Sequence, residues 1–402
     1  MAIGIIAEYN PFHAGHEYQI SQARKIFADA EIVAVMSGSF TQRGTPAFLD
    51  KWTRARLAIS GGVDLVLELP FTSAVRSAQD FARGGVRILS RLGIIDKLVF
   101  GAEVADLSAL QAAAKIFDEE FFHDELRGKM AAGISYAAAV TKILSRVTTL
   151  DEEIFRQPNN ILAVEYLRAL PESISPVLIP RIGASYGDLS LREKFSSAAA
   201  IRAAVREKNP EWGKISASVN KKSLDELKLA KENLIREELL FRPILSKIFT
   251  SRLEDLREIF GMVEGLEFRI IDAARSAKNF DELIKKIVSR RYPTSRVKRL
   301  LLHLLIGLTA EEISQVDDFA RVLAFNERGR ILLKRIRAES TLPIVTKVAQ
   351  HLTSRDILEN RLVEPYKKNL ALDVVATDLR GILFDCSRPA GQDFLTSPIF
   401  LS

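Results

Sequence analysis

The 402-residue sequence contains one cysteine and five histidines, and it lacks long apolar runs. The single cysteine, Cys386, cannot form a disulfide within the chain and cannot form a metal cluster by itself. No stretch approaches the roughly 18 consecutive apolar residues that indicate a membrane-spanning helix. The start of the chain shows neither a basic segment nor a small-residue cleavage site, so no export signal is visible. These absences predict a cytoplasmic protein without membrane association, and nothing in the sequence implies a protein partner.

Length and charge narrow the class of protein. A chain of 402 residues is too long for one core of ordinary size, so two or three domains are expected. Lysine and arginine outnumber aspartate and glutamate by 57 to 51, which gives a net charge of +6. This modest excess favours a polyanionic partner, and the places where the positive charge clusters carry more information than the total.

The first half of the chain alternates short apolar runs with helical patterns. The apolar runs are AIGIIAEY, EIVAVMSG, DLVLELP, DKLVFGAE and SPVLIPRIG. Near-continuous apolar strands separated by helices are typical of a parallel sheet covered on both faces. We therefore predict an α/β fold for residues 1–207, with a Rossmann-like, doubly wound parallel sheet.

The second half of the chain has a different pattern. Residues 223–363 carry apolar residues at helical spacing, with few glycines and almost no strand pattern. A mainly α-helical domain over residues 208–365 is the natural prediction. The later stretch LALDVVATDLRGILFD shows short β-like runs, and residues 366–402 are expected to pack back on the body of the protein.

Two of the five histidines follow directly after the first predicted strand, in NPFHAGH. In a doubly wound sheet, ligands collect at the carboxyl ends of the strands, where helix N-termini present free N–H groups. His13 and His16 lie one turn apart at such a helix start, and Gly15 lets a ligand approach the backbone. Two imidazoles there can donate hydrogen bonds to phosphate oxygens. The alternatives are simple capping or packing, or a zinc site, although no third ligand stands at a usual spacing.

Two short strings resemble the signatures of the nucleotidyltransferase superfamily, whose members attack the α-phosphate of ATP. HAGH is similar to the H-x-G-H signature, and SSAAAIR, residues 196–202, corresponds to S-S-T-x-I-R. Ala198 and Ala199 stand where that second signature has serine and threonine. Phosphate contacts from this helix start would therefore rely on Ser197, on backbone N–H groups and on Arg202.

Longer strings resemble the tRNA(Met) cytidine acetate ligase family. They are EYNPFHAGH, the run from Val35 to Pro70, VFGAE and QPNNILAVEYLRAL. The resemblance implies that ATP and free acetate form an acetyl-adenylate and release pyrophosphate. The N4 amine of the wobble cytidine in elongator tRNA(Met) then takes the acetyl group and releases AMP. Mg²⁺ is expected with ATP, but no carboxylate ligand for it can be named.

The same resemblance implies a set of site residues. We expect His13 and His16 to be catalytic. Arg43 is a third catalytic candidate because it lies in a polar loop after the second predicted strand, where it would contact acetate, the adenylate or the incoming RNA. The segment expected at ATP comprises Ala7, Glu8, Tyr9, Asn10, Pro11, Phe12, His13, Ala14, Gly15, His16, Glu17, Tyr18, Gln19 and Ile20. The other residues expected at ATP are Gly101, Asn159, Asn160, Arg181, Ile182, Ser197 and Arg202.

Several of these residues have plainer interpretations. Gly101 can simply end a strand, Asn159 and Asn160 can cap the helix that follows them, and Arg181 can be a surface arginine. Asp50 more simply caps the helix that contains Trp52.

A basic stretch in the helical half predicts RNA binding. Residues 285–299, KKIVSRRYPTSRVKR, contain seven basic residues and no acidic one. Such density suits phosphate neutralisation, and a tyrosine within it can stack on a base. A solvated helix face is the alternative. The residues that we expect to bind tRNA are Lys285, Lys286, Arg290, Arg291, Tyr292, Arg296, Lys298 and Arg299.

Three functions are compatible with these patterns. The first is the RNA-modifying acetate ligase. The second is a small-molecule nucleotidyltransferase that needs no tRNA, which the long basic helical half disfavours. The third is a non-catalytic RNA-binding protein, which the intact pair of histidines disfavours.

Overall fold

The structure is a computed structural model that describes residues 1–148, 152–183, 189–192, 194–263 and 265–402. Its centre is one eight-stranded sheet with the strand order β5-β4-β1-β2-β3-β6-β7, and β8 pairs with β6. The strands are β1 (Ala2–Ala7), β2 (Glu31–Ser37), β3 (Leu65–Leu69), β4 (Ile95–Ala102), β5 (Ser175–Pro180), β6 (Ala320–Phe325), β7 (Ile344–Val345) and β8 (Ile399–Phe400).

The helices cover the sheet and build the second half of the chain. In the first half they are α1 (Ala14–Ile26), α2 (Lys51–Ser60), α3 (Phe71–Ala74), α4 (Ala78–Arg91), α5 (Leu107–Ile116), α6 (Glu120–Ala131), α7 (Tyr136–Val147), α8 (Glu152–Arg156), α9 (Pro158–Ala169) and α10 (Ala198–Arg206). The next are α11 (Trp212–Ser216), α12 (Lys221–Glu232), α13 (Phe241–Thr250), α14 (Leu253–Glu258), α15 (Leu266–Ser276), α16 (Phe280–Ile287) and α17 (Thr294–Ile306). The last are α18 (Ala310–Ser314), α19 (Glu327–Glu339), α20 (Ser354–Leu358), α21 (Pro365–Gly381) and α22 (Gln392–Leu395).

The five N-terminal strands form the predicted doubly wound parallel sheet. β1 pairs with β2 and β4, β2 with β3, and β4 with β5, all in parallel. Strands β2 and β3 are buried almost throughout, which explains their near-continuous apolar sequences. The carboxyl ends of β1, β2, β4 and β5 therefore meet at one edge of the sheet.

The helical half also contributes to this sheet, which the sequence interpretation missed. Residues 320–325 form β6, which pairs antiparallel with β3, and β7 and β8 add to β6. The run ARVLAF was overlooked because Arg321 interrupts its apolar pattern. In the structure, however, Arg321 is buried in an ion cluster. The predicted domain boundaries at residues 207 and 365 stay predictions.

The β-like interpretation of the stretch LALDVVATDLRGILFD is wrong, because the stretch lies largely in helix α21. Asp373, Thr377 and Arg380 recur at helical spacing and are all buried. Because polar and charged residues are buried beside apolar ones such as Leu370 and Val374, a hydropathy pattern does not reveal the helix. Its contacts tie it to the loops beside β2 and β3: the Asp373 carboxylate accepts the Phe71 N–H at 2.6 Å, and the Arg380 side chain donates to the Ala47 carbonyl at 2.9 Å.

A buried ion cluster joins the C-terminal part of the chain to the sheet. The Lys51 ammonium lies 2.8 Å from the Glu68 carboxylate and 2.8 Å from that of Asp393. Arg321 pairs with the same two carboxylates. All four side chains are at most 4% exposed, so each charge depends on its partners for compensation.

Candidate active site

A cavity of about 910 Å³ opens where the carboxyl ends of the parallel strands meet. Its wall combines the loops that follow β1, β2 and β5 and the end of β4 with the first turn of α10 and with residues of α17. The N-terminal sheet and the helical half therefore enclose the same space, which is large enough for a nucleotide.

Most of the predicted ATP-site residues lie in this wall. They are Ala7, Glu8, Tyr9, Asn10, His13, Gly15, His16, Tyr18, Gln19, Gly101, Asn159, Arg181, Ile182, Ser197 and Arg202. Arg43, Arg291, Arg296 and Arg299 line the cavity as well. Among the expected residues, the structure describes Pro11, Phe12, Ala14, Glu17, Ile20 and Asn160 outside the wall.

His13 and His16 are fixed at the start of helix α1 by hydrogen bonds to backbone N–H groups and by stacking on each other. Nδ1 of His13 accepts the Gly15 N–H at 3.0 Å, and Nδ1 of His16 accepts the N–H of His13 at 3.2 Å. The two rings stack with their centroids 3.8 Å apart. A Cβ at residue 15 would lie 2.9 Å from Cε1 of His13, which explains why glycine stands between the histidines. The capping interpretation of the pair is therefore confirmed, but it uses one nitrogen of each ring.

This geometry fixes how the two imidazoles can act. Because each Nδ1 accepts a backbone N–H, the proton of each neutral ring must sit on Nε2. Burial, reinforced by Arg181 and Arg202, lowers the pKa of His13 to about 3. Burial, His13 and Arg181 lower the pKa of His16 well below its usual value. At neutral pH both rings are uncharged hydrogen-bond donors through Nε2.

Arg202 and the start of helix α10 lie beside the histidines. The Arg202 guanidinium donates to the Asn10 carbonyl, which ties α10 to the loop after β1. Ser197 is the N-cap of α10, and its hydroxyl accepts the Ala200 N–H at 3.0 Å. Ala198 and Ala199 also line the cavity, so the first turn of α10 offers N–H groups that have no partner within the helix. Together these groups make an environment suited to phosphate.

The expected residues outside the wall shape the loop that carries the histidines. Phe12 is fully buried, and a Cβ at Gly61 would collide with its ring, so Phe12 packs the loop against the end of α2. Asn10 accepts the Phe48 N–H at 2.8 Å. Glu17 accepts a hydrogen bond from Asn220, which begins α12.

The two asparagines do not cap helix α9, whose N-cap is Gln157. Asn160 is fully buried, and its side-chain oxygen accepts the N–H groups of Glu103 and Val104 at 2.9 and 3.1 Å. Asn159 donates to the Glu103 carboxylate at 2.6 Å. Asn160 therefore shapes the loop after β4, whereas Asn159 reaches the cavity.

Gly101 and Arg181 meet at the ends of neighbouring strands. Gly101 lies in β4, and a Cβ there would come within 3.2 Å of Cγ of Arg181. Arg181 is 39% exposed and lies 3.5 Å from the Glu103 carboxylate. A side chain at residue 101 would thus enter the space that Arg181 and the cavity share.

The loop after β2 links the site to helix α17. The Gln42 N–H donates to the Glu8 carboxylate at 2.7 Å, and the Gln42 carbonyl accepts from the Arg299 guanidinium at 3.2 Å. The buried Arg54 donates to the carbonyls of Glu8 and Gly38, so it ties the ends of β1 and β2 together. Gln42 and Arg54 were not among the predicted site residues, although Gln42 lies in the same polar loop as Arg43. The only sequence signal was their place within the run from Val35 to Pro70, since the burial of Arg54 became visible in the structure.

The residues of the basic stretch lie in two places, some in the cavity wall and the others away from it. Arg291, Arg296 and Arg299 face the cavity. Burial, with Arg296 and Arg43 nearby, lowers the pKa of Arg299 to about 10. Tyr292 is only 8% exposed and lies under the Arg296 guanidinium, so its ring is covered here, and its base-stacking role stays a prediction.

The other expected RNA contacts lie away from the cavity. Lys298 pairs with Glu237 at 2.8 Å, and Lys286 pairs with Glu282 at 3.3 Å. Lys285 and Arg290 are exposed. Asp50 is the N-cap of α2, as expected, because its carboxylate accepts the Thr53 N–H.

Two negative findings concern only the part of the chain that the structure describes. There, no group of three or more His, Cys, Asp or Glu side chains is arranged to hold a metal ion. Within the same residues, no helix has both the length and the apolar character to span a membrane.

Comparison with known proteins agrees with this geometry. A family model described as HIGH Nucleotidyl Transferase matches residues 1–393. A tRNA(Met) cytidine acetate ligase from Thermoanaerobacter sp. is 37% identical over 403 aligned residues, which cover 98% of each chain. The apo crystal structure of Thermotoga maritima TmcAL superimposes with a TM-score of 0.89 at 32% identity, covering 100% of this chain and 99% of that one. The structure of TmcAL bound with alpha-thio ATP gives 0.86 at 31% identity, with the same coverage. The chain belongs to the tRNA(Met) cytidine acetate ligase family of HIGH-type nucleotidyltransferases.

Proposed function

We propose that this protein is an ATP-dependent ligase that acetylates N4 of the wobble cytidine of elongator tRNA(Met). Acetate attacks the α-phosphate of ATP, and pyrophosphate leaves with the electron pair of the broken phosphoanhydride bond. The cytidine amine then attacks the acetyl carbonyl of the acetyl-adenylate, and AMP leaves. The pair of neutral, Nε2-protonated imidazoles at the strand ends is the observation that carries this proposal.

The histidines, Arg202 and the start of α10 serve the first step. Both imidazoles donate hydrogen bonds through Nε2, and the α10 N–H groups add two more donors beside them. Donors fixed in place before the reaction stabilise charge that develops on the phosphates without costly rearrangement. Because the rings stay neutral, they do this without holding the product pyrophosphate as tightly as fixed cations would.

The arginine wall serves the second step. Arg291, Arg296 and Arg299 line the side of the cavity that the helical half provides. An anticodon loop presents unstacked bases and phosphates, and guanidinium groups bind phosphates well. In this proposal the wall holds the phosphates around the target nucleotide while its base enters the cavity. Lys285, Lys286 and Arg290 extend the contact outside it.

Acetate, Mg²⁺ and the cellular setting complete the proposal. Arg43 is exposed on the loop after β2 and reaches the cavity, where it contacts acetate, the adenylate or the RNA. Mg²⁺ accompanies ATP, with phosphate oxygens and water as most of its ligands, since it commonly takes only one or two carboxylates from a protein. Residues 1–207 act as the catalytic domain and 208–365 as the RNA-binding domain. We place the reaction in the cytoplasm, with tRNA.

The test is nucleoside mass spectrometry on elongator tRNA(Met) transcript incubated with the protein, ATP and acetate, without acetyl-CoA. We expect N4-acetylcytidine in the anticodon loop, and AMP release that depends on acetate. A transcript in which uridine replaces the wobble cytidine is the matched control, and it should gain no acetyl group.

Two results would contradict the proposal. Nucleotide turnover that is indifferent to both acetate and tRNA would point to a metabolite as the acceptor. Binding of tRNA with no ATP consumption at all would point to an RNA-binding protein that does not catalyse this reaction.

A further inference from the structure

The second step needs a proton acceptor that the proposed function does not yet identify. The lone pair of the cytidine N4 amine is delocalised into the ring, so the amine is a weak nucleophile. When it attacks the acetyl carbonyl, it becomes positively charged unless a proton leaves. A general base near the amine therefore accelerates the transfer. The inference below rests on the proposed function, because it concerns the same cavity and the same reaction.

The histidines of the cavity do not supply this base. Nδ1 of His13 and Nδ1 of His16 each accept a backbone N–H, and Nε2 carries the proton. The lowered pKa values of both rings also make them poor proton acceptors. His303, which lines the cavity too, has its ring nitrogens 2.8 and 3.2 Å from the carbonyl oxygens of Val75 and Phe260.

Three carboxylates line the cavity among the residues that the structure describes: Glu8, Asp80 and Glu165. Asp80 forms an ion pair with Arg76 at 3.1 Å. Glu165 forms one with Arg168 at 2.6 Å. Both carboxylates are therefore committed to an arginine, and Glu165 is only 4% exposed, although this burial raises its pKa. Glu8 forms no ion pair within the described part of the chain, and it interacts electrostatically with the buried Arg54.

Glu8 is held firmly while one of its oxygens stays available. Oε1 accepts the Gln42 N–H at 2.7 Å, and the Glu8 carbonyl accepts from Arg54 at 2.6 Å. Oε2 makes no hydrogen bond or ion pair with any described residue, and it is not among the buried unpartnered atoms. Since Glu8 lines the cavity, Oε2 is open to a ligand there.

Glu8 also lies between the two groups of residues that serve the two substrates. The next residue, Tyr9, packs its ring against the edge of His16 at 4.9 Å, on the phosphate side. On the other side, Gln42 connects Glu8 to Arg299 of the arginine wall. The Gln42 N–H donates to the Glu8 carboxylate, and the Gln42 carbonyl accepts from Arg299. A cytosine ring that enters past the arginines towards the phosphates therefore passes Glu8.

We propose that Glu8 is a catalytic residue of acetyl transfer, which binds the N4 amine of the incoming cytidine through Oε2 and takes its proton. A carboxylate is a natural acceptor for the N4–H of cytosine. The N4–C bond to the acetyl carbon forms, and the bond from that carbon to the phosphate oxygen breaks. The electron pair leaves on AMP, one N4 proton passes to Glu8, and Glu8 later loses it to water.

The test separates the two steps in a Glu8→Gln variant. Its amide oxygen can still accept the Gln42 N–H, but the side chain no longer takes up a proton. We expect any loss of acetate-dependent exchange of pyrophosphate into ATP to be at least about tenfold smaller than the loss of transfer. Transfer to tRNA from added acetyl-adenylate should fall about 100-fold or more. Glu8→Asp, which keeps the carboxylate, should recover part of the transfer rate.

The outcomes decide between the alternatives. Transfer at the wild-type rate in Glu8→Gln overturns the proposal. So does an equal loss of both steps in a variant that melts at the wild-type temperature, because Glu8 would then serve ATP or its activation. Loss of transfer in Glu165→Gln but not in Glu8→Gln would assign the role to Glu165. If the wild-type protein itself forms no acetylcytidine, the proposed function fails, which is a separate result.

Discussion

Replacing His13 by asparagine separates the structural use of this residue from its chemical use. Nδ1 of His13 accepts the Gly15 N–H at 3.0 Å, so the side chain caps helix α1. Asparagine is among the best N-cap residues, and its side-chain oxygen can accept the same bond. What the variant loses is the Nε2–H donor and the stacking against His16 at 3.8 Å. Alanine at the same position loses the cap as well.

The expected magnitudes follow from these contacts. Loss of ring stacking costs about 1 kcal/mol of stability in both variants. Loss of the cap adds about 1 kcal/mol in His13→Ala alone. Loss of one donor aimed at developing charge costs about 3 kcal/mol in the transition state, which is a 100- to 1,000-fold lower rate. Both variants should therefore lose activation alike, while alanine is the less stable of the two.

The assays are acetate-dependent pyrophosphate exchange, which reports the first step, and urea denaturation, which reports the free energy of unfolding. Exchange within tenfold of wild type in His13→Asn would refute a role of Nε2–H at the phosphates. Equal stability of the asparagine and alanine variants would refute the importance of the cap.

Three further predictions concern pH, salt and the buried ion cluster. The pKa of His13 is lowered to about 3, so the rate of pyrophosphate exchange should show no histidine titration near pH 6.5, and an inflection there would contradict this. The free energy of unfolding should fall as the pH drops from 6.5 towards 3, because only the unfolded chain takes up the proton in that range. Arg296→Ala should reduce the slope of log tRNA affinity against log salt by about 1, and Arg330→Ala, whose side chain pairs with Glu327 at the surface, should not. Lys51→Met should cost about 3 to 5 kcal/mol in urea denaturation, since two buried carboxylates each lose a partner, and a cost below about 1 kcal/mol would show that the cluster does not need Lys51.

The sequence alone determined the parallel sheet and the position of the histidine pair. Strands β1 to β5 are short apolar runs between helices, and this pattern has few other interpretations. The H-x-G-H spacing could also be interpreted locally, because capping, stacking and the need for Gly15 involve only neighbouring residues. Local physics of this kind is contained in the order of the residues.

The tertiary structure decided what depends on contacts between distant segments. Arg321 interrupts an apolar run, and only its pairing with Glu68 and Asp393 makes that run a buried strand. The sequence suggests that Tyr292 can stack on a base, but only the fold shows that its ring is covered by Arg296.

The cavity is the clearest example of a feature that depends on contacts between distant segments. Helix α17 and the loop after β2 meet where Gly44 packs on the helix backbone and where Arg299 donates to Gln42, which is 257 positions away in the chain. These contacts bring the arginine wall to Glu8 and to the histidines. Residue types and their spacing determined which groups can do the chemistry. Which of them share a cavity was decided by long-range packing, because buried charges and polar helix faces leave no periodic signal in the sequence.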